Sequence, residues 1–184
     1  MEETAIDITI IKDDVKILVG EQAIANAIFV ERAQSSVLTQ IILSGKYNRV
    51  YTVATCYINL THERVLVHDN LLIICAEFDL AIIDIEESKL LQIINIDKHT
   101  LFSIHKFKSG YFIHGELLNF FLNKDFQIVW EEDCGDIFYN GNVKYILEIF
   151  DDYITVFDWY GKKHYYNENG EFKHECFPEL RMSD

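Results

Sequence analysis

Proline is nearly absent, with Pro178 the only one in 184 residues, and the eight glycines are scattered along the chain. No Pro-rich or Gly-rich linker marks a boundary, so the sequence predicts a single domain over residues 1–184. Basic residues are also few: 16 Lys and Arg stand against 30 Asp and Glu, a formal net charge of −14. Such a surface repels phosphate backbones and anionic bilayers, which argues against a nucleic-acid or lipid-surface role. The four cysteines, Cys56, Cys75, Cys134 and Cys176, include no close pair and therefore read as free thiols rather than a zinc knuckle or redox motif. No apolar run approaches the ~20 residues that cross a bilayer as a helix. Met1-Glu2-Glu3 lacks the basic start of a signal peptide, and a cytoplasmic location is expected.

Catalytic signatures are missing as well. There is no HExxH, paired CxxC, EF-hand loop, GxSxG, Walker or GxGxxG pattern. The histidines at 62, 68, 99, 105, 114, 164 and 174 have no ligand-like spacing beyond His174 and Cys176, so neither a metal nor a cofactor is expected. Cys134 sits in a loop with Glu131, Glu132, Asp133 and Asp136, and negative neighbours suppress the thiolate a nucleophile needs. Asp151 and Asp152 are adjacent, so in an extended segment they point to opposite faces and make a poor acid and base pair. No catalytic residue is assigned, and the sequence reads as that of a non-enzyme.

What is present is apolar and aromatic: 49% of the residues are hydrophobic and 14% aromatic, enough for a core without disulfides. The hydrophobic residues come in short runs, clearest at 71–75, 80–85 and 90–96, separated only by a few polar residues. Runs of this length, rich in Ile and bounded by turn residues, predict consecutive antiparallel strands. Elsewhere Ile6, Ile8 and Ile10 alternate, and Lys12-Asp13-Asp14 is expected to turn that strand into a hairpin. Residues 21–33 mix helix formers with a β alternation in their second half. Asn140-Gly141 predicts a type I′ hairpin turn, and Asn169-Gly170 a final hairpin. The whole predicts an all-β domain of antiparallel meanders, with at least twelve strands and no helix longer than about three turns.

A repeat is visible in that pattern. Leu80-Ala-Ile-Ile-Asp84, Asn119-Phe-Phe-Leu-Asn123 and Ile154-Thr-Val-Phe-Asp158 align at offsets of 39 and 35 residues, each an apolar strand ending in a short polar residue. The strand-turn-strand pattern over residues 70–175 resembles the blade repeats of WD-type and quinoprotein-type β-propellers, although Trp-Asp occurs only reversed, as Asp158-Trp159. The resemblance implies a small closed ring or an open arc of blades, with a β-sandwich as the alternative. It also implies that Ile83, Phe121 and Val156 or Phe157 are equivalently buried, with Asp84, Asn123 and Asp158 at matching turns. An open arc leaves strand edges that a partner or a second copy must cover.

The acid is concentrated at one end: residues 131–184 hold 13 acidic and 5 basic side chains. There, large rings alternate with carboxylates. Trp130 precedes Glu131, Glu132 and Asp133; Tyr139 follows Asp136; Tyr153 follows Asp151 and Asp152; Trp159 and Tyr160 follow Asp158. Interface cores favour Trp and Tyr, and clustered carboxylates steer a basic partner. The six carboxylates of Glu131, Glu132, Asp133, Asp136, Asp151 and Asp152 and the rings of Trp130, Tyr139, Tyr153, Trp159 and Tyr160 are therefore the candidate partner-binding residues. In size, acidity and lack of catalytic motif the chain resembles bacterial toxin-immunity proteins, which implies a basic toxin, such as a nuclease, as the partner. The alternative is a scaffolding subunit that self-associates through its strand edges.

Overall fold

The computed structural model describes residues 5–15, 27–29, 36–55, 60–76, 78–96, 100–133, 147–170 and 172–175. These residues form sixteen strands, one 3₁₀ turn at His62–Arg64 and no α-helix. The strands make four four-stranded sheets, three of them simple meanders in sequence order. The fold is all-β, built from antiparallel repeats. The chain divides into two compact units, Met1–Ile104 and His105–Asp184.

The first unit opens with β1 (Ala5–Val15), β2 (Ala27–Phe29), β3 (Ser36–Ser44) and β4 (Arg49–Thr55), in the order β1-β3-β4-β2. The expected turn at Lys12-Asp13-Asp14 is not there. β1 runs on through it, pairing Lys12 with Leu38 and Val15 with Ser36, and register shifts on either side of Lys12 absorb the extra residues. A bulge accommodates polar residues that a straight ladder would not, because the extra residue leaves the pairing. Of the ambiguous segment 21–33, the described residues 27–29 form β2, which pairs with β4 in parallel.

The second sheet is the meander β5 (Val65–His68), β6 (Leu71–Ala76), β7 (Asp79–Asp84) and β8 (Lys89–Asn95). Its two central strands are buried on both faces, which is why 71–75 and 80–85 read as unbroken apolar runs rather than alternations. Ile41, Leu43, Tyr51 and Val53 of the first sheet join Leu72, Ile74, Ala81, Ile83 and Ile85 in one core. Polar bonds tie the same two sheets: the Tyr51 hydroxyl donates to the Ile85 carbonyl at 3.3 Å. The Tyr47 hydroxyl also donates to the Asp69 carbonyl.

The third sheet is β9 (Leu101–Phe107), β10 (Gly110–Gly115), β11 (Leu118–Leu122) and β12 (Ile128–Asp133). The fourth is β13 (Leu147–Ile149), β14 (Ile154–Phe157), β15 (Lys163–Tyr166) and β16 (Phe172–Glu175). Phe107, Phe112, Phe121, Ile154, Val156 and Tyr166 form the core of the second unit, with Trp130 and Leu147 packed against it. The Trp130 ring stacks on Phe121 at 6.2 Å and on Tyr166 at 5.4 Å. Gly110 is required by the packing, since a Cβ there would stand 2.0 Å from the Leu122 carbonyl oxygen.

The repeat is real between the second and third sheets and fails at the fourth. Ile83 and Phe121 both lie buried on the third strand of their sheets. The same bulge follows: Leu91 of β8 stands between the partners of Ile82 and Ile83, and Val129 of β12 between those of Phe121 and Leu122. Val156 is buried, but β14 is the second strand of its sheet, so the offset of 35 lands one strand early. The turns divide differently. Asn123 and Asp158 close matching turns, whereas Asp84 accepts from the Glu87 N–H three residues on and the positive φ falls at Ser88. An apolar strand ending in Asn or Asp marks a hairpin; it does not say which hairpin of a blade. The Asn140-Gly141 turn lies outside the described residues.

Candidate partner-binding surface

The best-defined projection of the second unit is the turn 158–162, between β14 and β15. Asp158 builds it. Its Oδ1 accepts from the Tyr160 N–H at 3.0 Å and the Lys162 N–H at 2.8 Å. The backbone closes with Gly161 N–H donating to the Asp158 carbonyl and Asp158 N–H to the Lys162 carbonyl, each at 3.0 Å, and Gly161 takes the left-handed φ of 77° that the reversal needs. The other carboxylate oxygen lies 3.0 Å from Nε2 of buried His164. The charge of Asp158 is thus spent inside, while Trp159 and Tyr160 stand at the tip, 53% and 81% exposed.

At the other end of β14, residues 150–153 form a second turn, closed by the Phe150 N–H on the Tyr153 carbonyl at 2.9 Å. Asp151 and Asp152 are exposed at its tip. Asp152 meets Lys108 of the β9–β10 turn at 2.9 Å, and this hydrogen bond raises the lysine above its ordinary range. The rings on either side of the two acids, Phe150 and Tyr153, stack with centroids 4.6 Å apart, and Tyr165 of β15 lies 5.7 Å from Tyr153. Behind them Lys163 reaches across the face, 5.2 Å from Phe157, 5.5 Å from Tyr165 and 5.8 Å from Phe150, and bonds Glu148 at 3.3 Å.

The structure separates what the sequence grouped. Hydrogen bonds from Lys108 to Asp152, from Ser109 to Glu168 and from Trp130 Nε1 to the Glu168 carbonyl gather the turns at 108–109, 150–153 and 167–170 at one end of the unit. Asp151, Asp152 and Tyr153 are there. Trp159 and Tyr160 lie beyond the opposite end of β14, whose four residues put roughly 13 Å of strand between the two groups. Glu131, Glu132 and Asp133 lie along the terminal strand β12, with Asp133 opposite Leu118 at the far end of its sheet. Trp130 is half-buried and stacked into the core, its ring also covering Gly170, so its aromatic surface is engaged within the unit. Asp136 and Tyr139 lie outside the described residues.

Sequence reasoning missed Glu148, Phe150, Lys163 and Tyr165. A period-two signal for them exists, in Tyr153, Thr155 and Phe157 on one strand and Lys163 and Tyr165 on the next. Only the register, Thr155 opposite Tyr165 and Phe157 opposite Lys163, puts the two sets on one face. Apolar side chains also reach solvent on the terminal strands: Leu90, Leu91 and Ile93 on β8, Ile128 and Val129 on β12. The two bulged residues, Leu91 and Val129, are 50% and 51% exposed.

No protein-family model matches the chain, and no curated protein matches it in sequence. Solved structures do resemble it. The AfRom2 CNH domain is similar over 78% of this chain and 48% of its own, at 11% identity and a TM-score of 0.48. BamB from Moraxella catarrhalis is similar over 85% of this chain and 53% of its own, at 14% identity and a TM-score of 0.45. HIRA(644-1017) is similar over 93% of this chain and 49% of its own, at 9% identity and a TM-score of 0.46. These are β-propeller and WD40-like proteins, and the chain spans about half the length of each.

Proposed function

We propose that the protein is a non-catalytic protein-interaction module whose second unit binds a basic partner. The observation that supports this best is the 158–162 turn, where four hydrogen bonds fix the main chain that carries Trp159 and Tyr160, both exposed at its tip. A main chain already ordered in the free protein loses little entropy on binding, and Tyr and Trp add large contact area at low side-chain entropy cost, which makes them effective anchors. The net charge of −14 supplies the long-range term. Glu131 and Glu132 on the outer strand steer the approach, and the rings hold the complex. The narrower reading, an immunity protein that covers a basic toxin, rests on size and acidity alone.

Surface-plasmon kinetics with a captured stoichiometric partner test the proposal. Glu131→Lys with Glu132→Lys is expected to slow association, most at low salt, and Tyr160→Ala to raise the off-rate by about 2 kcal/mol or more. A partner indifferent to salt, to carboxylate reversal and to Tyr160→Ala overturns it.

A second reading is favoured by β8, a terminal strand that exposes Leu90, Leu91 and Ile93. A scaffolding subunit would bury them against another copy, since exposed apolar edges invite pairing. Sedimentation velocity decides: self-association abolished by Leu91→Lys supports this reading, and a concentration-independent monomer removes it.

A further inference from the structure

We infer that the face of β13–β15 turned away from the core receives an arginine side chain of the basic partner, its guanidinium lying on the Phe150–Tyr153 ring pair beside the carboxylates of the turn. This rests on the proposed binding of a basic partner and assigns where one of its side chains is read.

The strand register builds the face. Ile154, Val156 and Tyr166 point into the core, so Thr155, Phe157, Lys163 and Tyr165 take the opposite side, and Phe150 and Tyr153 extend it beyond the strand end. The face already holds a cation. The Lys163 ammonium stands over three of its rings and bonds Glu148, and its side chain is only 16% exposed. Aromatic faces carry negative charge density that attracts cations, and here the chain satisfies that attraction from within.

Tyr153 is not one of the three rings that Lys163 stands over. Phe150 and Tyr153 are 40% and 38% exposed, and the two residues between them are Asp151 and Asp152, both exposed carboxylates. An apolar partner would bury these acids without compensation, and an acidic one would be repelled. A cation matches both halves of the surface. Arginine matches better than lysine because its planar guanidinium lies flat on a ring while its edge donates to a carboxylate, whereas an ammonium is a compact, strongly hydrated point charge. Lys108 shares Asp152 from the neighbouring turn, and that side chain remains 86% exposed, so a second donor can reach it.

The test is an NMR titration of the full chain with hexa-arginine and, separately, hexalysine. Hexa-arginine is expected to move the ring resonances of Phe150 and Tyr153 and to bind more tightly than hexalysine. Phe150→Leu with Tyr153→Leu keeps apolar bulk but removes the rings, and is expected to weaken hexa-arginine about fivefold to thirtyfold. Because that variant could disturb packing, Asp151→Asn with Asp152→Asn serves as the second, at exposed positions, and is expected to weaken binding about threefold to tenfold. Equal affinity for the two peptides, or either double variant binding as well as the parent, overturns the inference. Ring shifts confined to Trp159 and Tyr160, with sensitivity to Glu131 and Glu132 reversal, would overturn this site while leaving the broader proposal standing. Failure of both peptides to bind would remove both.

Discussion

Asn123 and Asp158 close the same turn in two different sheets. Each Oδ1 accepts from the backbone N–H groups two and four residues on, Asp125 and Gln127 in one case, Tyr160 and Lys162 in the other, at 2.8–3.0 Å. Each turn has its positive φ three residues on, 59° at Phe126 and 77° at Gly161. A neutral amide therefore suffices to hold the turn, and the charge of Asp158 bears on His164. Asp158→Asn is expected to keep the turn at a cost of about 1 kcal/mol. Asp158→Ala removes the acceptor for two amides as well as the contact to His164 and should cost about 2–4 kcal/mol. Urea unfolding midpoints of the two variants check this; equal costs would mean that the backbone alone holds the turn.

Two glycines should respond differently to a methyl group. Gly110→Ala places a Cβ 2.0 Å from the Leu122 carbonyl, a backbone atom of a paired strand that cannot step aside. A loss above about 3 kcal/mol, or failure to fold, is expected. Gly170→Ala meets the Trp130 ring at 2.9 Å and sits at a φ of 77°. That clash is with a side chain rather than backbone, but the indole is stacked between Phe121 and Tyr166 and gives only a little, so a loss of about 2–3 kcal/mol is expected, of which the left-handed backbone supplies about 1–2. Thermal unfolding of both variants ranks them.

The two tryptophans should separate stability from binding. Trp130 stacks between Phe121 and Tyr166 and donates to the Glu168 carbonyl at 3.2 Å, so Trp130→Ala is expected to cost about 3–5 kcal/mol. Trp159 is more than half exposed, and Trp159→Ala should stay within about 1 kcal/mol of the parent. Acrylamide quenching should fall when Trp159 is replaced by Phe, because the remaining indole is the shielded one.

Cys75 is fully buried in β6, and loss of solvent pushes its thiol from the ordinary 9.0 up to about 12. Cys75 should resist thiol reagents at pH 8 until the protein unfolds, which peptide mapping of the labelled chain checks. The unfolded chain gives up this proton above pH 9 while the folded chain keeps it, so the unfolded state is favoured as pH rises from about 9 towards 12. Over that window this group lowers stability by about 1.4 kcal/mol per pH unit. Cys75→Ala should flatten that part of the stability profile; an unchanged slope would show that other groups set it.

What the sequence determines by itself here is local. Ile-rich runs of five to seven residues and short Asp and Asn turns encode strands and their reversals, because both depend on neighbouring residues only: the all-β class, the meander 71–96, the hairpins after Asn123 and Asp158 and the final one at Asn169-Gly170 follow from that. The tertiary structure decides what depends on pairing between distant segments. Lys12-Asp13-Asp14 has turn chemistry, yet the ladder to β3 carries it as extended strand. β14 has the apolar pattern of β7 and β11, yet it takes the second place in its sheet, because rank depends on which segments precede it. The acids and rings alternate along 130–160, yet β14 sends Tyr153 to one end and Tyr160 to the other, since a strand moves its ends apart by about 3.3 Å per residue whatever their chemistry. Lys163 reaches Phe150, thirteen positions earlier in the chain, only because the register sets Phe157 opposite Lys163 and Ile149 opposite Ile154.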